Sequence, residues 1–322
     1  MHNMDKLFQT VSERGHVCVG LDTALEYIPE RERCPAANSA GAGSLLEYNK
    51  AIIDATIDIA ACFKVQIAYY EELGIEGLKA YAATLRYLRD KNALVIADIK
   101  RGDIADTASR YARAHFEGDF EADFVTLTPY LGLDSIEPWL QWADKKGKGA
   151  FVLMRTSNKG RRDFQYLEIG GGNSSQASKR RLFNAVGEKL SELGRLGKYG
   201  YGPFGAVVGA DPQSEEERKE AAAIRAAFPS LFFLIPGYGA QGGAASDAAL
   251  LLREGNGGVV NASRSILKAW QSKAALDPAT VDNAFAAQAA REAALNMRDA
   301  LLKAIGELRE HSNLIEGYKS QR

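Results

Sequence analysis

Short apolar runs alternate along the chain with longer segments whose apolar residues recur at helical spacing. Eight of the short runs read as buried strands: 16–21, 62–66, 94–98, 124–126, 150–154, 205–208, 232–235 and 258–261. Between them, 44–60, 71–91, 104–116, 135–144, 178–193, 214–228 and 246–253 carry the helical pattern. Strands that are apolar throughout and separated by helices belong to a parallel sheet, because each crossover helix covers a sheet face. Eight such units predict an α/β chain closed into a (β/α)8 TIM barrel, with an open doubly wound sheet as the rival.

Three segments exceed a minimal barrel. Residues 29–44, rich in Arg, Ala, Gly, Ser and Pro, predict a long first βα loop. Residues 155–179 predict a long loop after strand five, either a surface excursion or a lid. The Ala-rich stretch 281–310 predicts one or two amphipathic helices in a C-terminal helical extension. Without repeat or linker, the expectation is a single domain over 1–322, with a barrel core of about 14–270 and an extension of about 271–322.

Composition removes several classes. The 322 residues hold 40 Lys and Arg against 41 Asp and Glu, a net charge of −1. Such a balance exerts no global pull toward nucleic acid or an anionic membrane, so neither is an expected partner. No apolar run nears the roughly 18 residues of a spanning helix, and the N-terminus lacks the apolar centre of a secretory signal. Cytoplasm is the expected location. Cys18, Cys34 and Cys62 are too few and too scattered for a disulfide framework or a zinc ribbon. The four histidines are scattered as well, so no metal site is expected.

Barrel chemistry collects where strands end at their C-termini. Strand one ends at Asp22, strand two carries Lys64, and strand three runs through Asp98, Lys100 and Asp103. A Lys within an apolar strand either snorkels to the rim or finds a partner. Asp98 and Lys100 are two apart and share a face if the strand continues, with Lys64 on the neighbouring strand. Alternating Lys–Asp–Lys–Asp charges keep both lysines protonated, which suits a proton donor and disfavours a lysine imine. Asp103, just before a helix, also reads as an N-cap, and Thr107 as an ordinary helix-surface residue. Strand five leads to Arg155, Thr156 and Ser157. Strand seven runs into the Gly-rich Pro236–Gly243 segment, and Arg264 follows strand eight at the start of a short helix. Loops seven and eight of a barrel commonly form a phosphate site. The GxGxxG at 237–242 opens no first βαβ unit, which sets aside a dinucleotide oxidoreductase.

Asp98-Ile99-Lys100-Arg101-Gly102-Asp103 resembles the DxKxxD signature of the orotidine 5'-phosphate decarboxylase family. CFKVQIAYYEELG, LTPYLGLDSIEPWL, LMRTSNKG, IPGYGAQGG and NASRSIL resemble its longer bacterial-type branch, so the resemblance spans about 17–267. It implies conversion of orotidine 5'-monophosphate to UMP, the last step of pyrimidine nucleotide synthesis, with no cofactor. It further implies that Lys100 protonates C6 and that Asp98 faces the substrate carboxylate. Lys64 and Asp22 would meet the ribose, Ser157 the pyrimidine edge, and Gln241 and Arg264 the phosphate. The implied assembly is a homodimer with shared sites, in which Asp103 and Thr107 act in the partner's site. Two other readings keep the same residues. One is a metal-dependent sugar-phosphate decarboxylase or aldolase on the same barrel. The other is a non-catalytic nucleotide-binding barrel.

Overall fold

In a computed structural model the eight apolar runs form the eight parallel strands of a closed barrel. They are β1 Val17–Leu21, β2 Cys62–Gln66, β3 Val95–Arg101, β4 Phe124–Leu127, β5 Gly149–Arg155, β6 Phe204–Val208, β7 Phe233–Ile235 and β8 Gly258–Ala262. Neighbours in sequence are neighbours in the barrel, and β8 closes on β1 with Cys18 opposite Asn261. The structure describes residues 1–34, 39–170, 180–212, 214–239, 242–273 and 280–319.

Alternation along each strand makes two cores. Outward residues such as Val17, Val19, Val65, Val95, Ala97 and Val125 pack under the surrounding helices. Inward residues Cys18, Cys62, Ile96, Phe124, Phe151, Phe232 and Val259 fill the lower barrel, so Cys18 and Cys62 are core thiols as expected. The helix Asn3–Arg14, absent from the sequence expectations, adds Met4, Leu7 and Val11 to this inner cluster. Phe8 of the same helix stacks on Tyr199 with centroids 4.4 Å apart. Each such buried side chain contributes about 1.5–3 kcal/mol, so the segment is held as a plug despite its polar composition.

The additions to the barrel differ in detail from expectation. The helix after the first loop starts at Ser39 and runs to Thr56, because its first turn is made of small residues that the apolar pattern does not mark. The segment after β5 is not a featureless loop. It contains a short helix, Arg161–Phe164, and a strand, Glu168–Ile169, paired antiparallel with Arg180–Arg181. Residues 171–179 lie outside the described residues. The C-terminal extension is one helix, Asn283–Lys319, laid on the helices Ser39–Thr56 and Ala245–Ala249. Arg291 anchors it through a bidentate pair to Asp58 at 2.6 and 2.7 Å.

Candidate active site

Two residues above the apolar tier, the same inward faces turn polar. Cys62 is followed by Lys64 and Gln66, Ile96 by Asp98, and Phe124 by Thr126. These residues line a cavity of about 650 Å³ at the C-terminal mouth of the barrel. Asp22, Lys100, Ser157 and Arg264 line it as well.

The charges form a chain of direct contacts. Lys64 Nζ donates to Asp22 Oδ1 at 2.8 Å and to Asp98 Oδ2 at 3.0 Å. Lys100 Nζ donates to Asp98 Oδ1 at 2.7 Å. The alternation within one chain is therefore Asp22–Lys64–Asp98–Lys100, with Asp22 added at the Lys64 end of the expected series. Lys64 does not snorkel, since only 5% of it is exposed. Burial alone would strip its proton, yet the carboxylates of Asp22 and Asp98 hold its pKa well above that of an ordinary lysine. Burial alone would protonate Asp98, but Lys64 and Lys100 hold its carboxyl well below the usual carboxylate range. A lysine so firmly protonated is no imine-forming nucleophile.

The local chain geometry explains how Lys100 reaches this network. The β3–β4 register shifts between Ala97 and Arg101, and Lys100 has φ of 45°, in the left-handed region. Simple alternation therefore does not carry Lys100 to the site; a bulge does. The Thr126 hydroxyl organises that bulge. It accepts the backbone N–H groups of Ile99 at 3.0 Å and Lys100 at 2.9 Å, and donates to Asp98 Oδ1 at 2.8 Å. Gln66 Nε2 donates to Asp98 Oδ2 at 3.0 Å, and Ser263 Oγ to Asp22 Oδ2 at 2.9 Å. Gly20 leaves room for this arrangement, because a Cβ there would stand 2.0 Å from Ser263 Oγ.

Thr126, Gln66 and Ser263 were missed as site residues. The signal for Gln66 was its place two residues beyond Lys64 on one strand face. Thr126 read as the last residue of an ordinary strand.

The remaining predicted residues separate into three groups. Ser157 and Arg264 line the cavity away from the apolar tier, and Arg264 opens the four-residue helix Arg264–Leu267. Gln241 lies outside the described residues, although its loop is partly seen. Gly237, Gly239 and Gly242 all take positive φ, and a Cβ on Gly243 would stand 2.0 Å from the Ala210 carbonyl oxygen. Those glycines are therefore required by the turn itself. Asp103 and Thr107 do not line the cavity. The N-cap of the helix Ala105–Phe116 is Ile104, and Asp103 bonds the adjacent Ile104 N–H at 2.9 Å, so the capping role expected of Asp103 does not hold. Arg155 is buried and also stands outside the cavity lining. Among the described residues, no group of three or more His, Cys, Asp or Glu is placed to hold a metal ion.

Comparison with known proteins matches this chain to one family. The profile of the orotidine 5'-phosphate decarboxylase / HUMPS family matches residues 15–279. The orotidine 5'-phosphate decarboxylase of Clostridium perfringens strain SM101 is 55% identical over 303 residues, covering 94% of this chain and 98% of the relative. That of Clostridium acetobutylicum strain ATCC 824 is 51% identical over 304 residues, covering 94% and 99%. The solved OMP decarboxylase of Leishmania donovani superposes with a TM-score of 0.68 at 31% identity, covering 93% of this chain and 100% of that one. The eight-stranded barrel, the family profile and relatives matched over 94% of the chain agree: the chain belongs to the orotidine 5'-phosphate decarboxylase family.

Proposed function

We propose that the Asp22–Lys64–Asp98–Lys100 chain decarboxylates orotidine 5'-monophosphate by positioning and electrostatics, with Lys100 as the acid that protonates C6. The activity itself, decarboxylation of orotidine 5'-monophosphate to UMP, follows from family membership at 55% identity over 94% of the chain. The observation that carries the mechanism is the contact of Lys100 Nζ with Asp98 at 2.7 Å, beside a Lys64 that is buried between two carboxylates.

The chemistry follows from where charge develops. Loss of CO₂ leaves an electron pair at C6 of the pyrimidine. A fixed ammonium at that position stabilises the pair as it forms and then supplies the proton. Asp98, kept ionised by two lysines, stands where the departing carboxylate would be placed. Asp22 and Lys64 offer an acceptor and a donor to ribose hydroxyls. Ser157 offers a hydroxyl to the pyrimidine edge, and Arg264 with the Gly-rich turn, including Gln241, offers the phosphate a cation and N–H donors. Phosphate contacts remote from C6 contribute to transition-state stabilisation by fixing the ring in place. No cofactor enters this scheme.

We also read the chain as one barrel domain over 1–322 that works as a homodimer in the cytoplasm. Ile104, Tyr130, Leu131 and Phe164 are all exposed on the loops that follow β3, β4 and β5. Such a cluster on the C-terminal rim is an expected protein contact, and Asp103 and Thr107 lie in the same rim segment as Ile104. In a dimer built through this rim, Asp103 and Thr107 complete the partner's site. Among the described residues no helix is long and apolar enough to cross a membrane.

The test is the ultraviolet absorbance of orotidine 5'-monophosphate mixed with purified protein in excess EDTA. Conversion to the UMP spectrum is expected. No conversion by folded protein would leave a nucleotide-binding barrel, and conversion abolished by EDTA would favour the metal-dependent reading. Mixing inactive Lys100→Ala and Asp103→Ala proteins tests the shared site: activity should return as heterodimers form, and sites confined to one chain would show no return.

A further inference from the structure

A second group of buried charges lies outside the cavity lining, behind Ser157. Arg155, Arg161, Asp211 and Glu217 are each at most 6% exposed. They come from three places in the sequence. Arg155 ends β5, Arg161 opens the short helix after it, and Asp211 and Glu217 lie beyond β6, the latter in the first turn of the helix Glu215–Ala227. One guanidinium nitrogen of Arg161 donates to the Ser157 carbonyl at 3.0 Å and to Asp211 Oδ2 at 2.8 Å. Its other terminal nitrogen donates to Glu217 Oε2 at 3.0 Å. On its second side Ser157 packs on Gly209, where an added Cβ would stand 2.9 Å from Ser157 Cβ. Arg155 in turn fixes Gly209 by donating to its carbonyl at 2.6 Å.

These two supports of Ser157 are therefore held by buried arginines. Burying four charges brings little stability over apolar side chains of similar size, because desolvation offsets the attraction between them. What the cluster supplies is fixed geometry: a planar guanidinium can bridge a carbonyl and two carboxylates at once.

We propose that Arg161 is a positioning residue that sets the pyrimidine-facing Ser157 by tying its carbonyl to Asp211 and Glu217. The proposal rests on the assignment of Ser157 to the pyrimidine made above. Arg161 lines no part of the cavity; it reaches the site through the backbone of Ser157, with a longer 3.5 Å contact to the neighbouring Thr156 carbonyl.

The test is a double-mutant cycle on kcat/KM with orotidine 5'-monophosphate, using wild type, Ser157→Ala, Arg161→Gln and the double variant, with thermal midpoints measured beside the rates. Arg161→Gln should lower kcat/KM about tenfold in the wild-type background and less than about twofold in the Ser157→Ala background. The exposed neighbour Arg162 also pairs with Glu217, yet has no bond to Ser157. Arg162→Ala should therefore leave kcat/KM within about twofold. Equal losses from Arg161→Gln in both backgrounds, or a lowered midpoint with unchanged kcat/KM, would make the cluster merely structural and overturn the proposal. A native kcat/KM for Ser157→Ala alone would remove the pyrimidine assignment and this proposal together. If Arg161→Gln does not fold, Arg161→Lys enters the same cycle. It keeps the charge without the planar fork and should show the same coupling to Ser157.

Discussion

The barrel interior holds two tiers built by the same strands, one alternation apart. In the lower tier Cys62, Ile96 and Phe124 pack in one apolar cluster. In the upper tier Lys64, Asp98 and Thr126 follow each of them two residues later, joined by contacts of 2.8–3.0 Å. The lower tier removes apolar surface from water and so holds the fold together. The upper tier takes charges out of water, and its mutual attractions do little more than offset that cost. Neighbouring layers thus divide the labour. Packing below is worth stability, while geometry above serves rate in the proposed mechanism.

Lys100→Ala should break the upper tier most. It removes the proposed acid, while Asp98 keeps Lys64, Gln66 and Thr126 as partners. The expected fall in kcat is at least about a thousandfold, with the thermal midpoint within about 2 °C of wild type. Near-native turnover would end the proposed mechanism. Phe151→Ala is the matching cut below. Phe151 is fully buried against Phe124 and Phe232, with ring centroids 5.4 and 6.5 Å away. Its truncation should cost about 3–5 kcal/mol in chemical denaturation and leave kcat within about twofold. A large fall in kcat without a loss of stability would show that the tiers do not act separately.

The lower tier and the strand order were legible because apolar runs have a period. All eight strands fall where the hydrophobic pattern put them, and Lys64 and Asp98 stood out as charges in apolar company. The bulge that delivers Lys100 was not legible. It depends on a Thr126 hydroxyl from a different strand, and no pattern within β3 encodes that contact. The plug helix Asn3–Arg14 was hidden for a related reason. Met4, Leu7 and Val11 make a narrow stripe in a polar segment, and only the open barrel floor gives that stripe something to bury. The contact of Asp22 was a matter of tertiary distance, since the fold brought it beside Lys64 from a strand 42 residues away.

A titratable ring buried without its charge sharpens the comparison at a smaller scale. His115 is buried at the end of the helix Ala105–Phe116, and among the described residues no carboxylate pairs with it as two pair with Lys64. Burial, and then the charge of Arg101, lower its pKa from 6.5 to about 4. Between those values the unfolded chain binds the proton and the folded chain does not. Stability contributed by the neutral ring is thus complete above about pH 6.5 and lost as pH falls toward about 4, by no more than about 3 kcal/mol. Urea midpoints from pH 7 to 4.5 should fall less steeply in His115→Gln than in wild type. Parallel slopes would mean that another group carries the acid sensitivity.

Ser263→Ala tests the edge between the tiers with the smallest expected effect. The hydroxyl donates to Asp22 Oδ2 at 2.9 Å and accepts from Asn261 Nδ2 at 3.3 Å. Its loss leaves Asp22 tied to Lys64 by one bond at 2.8 Å and freer to turn. Asp22 is partly open to the cavity, so water can replace the missing donor and stability should hold. If Asp22 binds ribose, the loss falls on substrate affinity. KM should then rise about three- to tenfold, as one hydrogen bond of about 1 kcal/mol allows, with kcat nearly kept. A fall in kcat at constant KM would place Asp22 in the chemical step, because only an interaction gained in the transition state lowers kcat alone when it is removed.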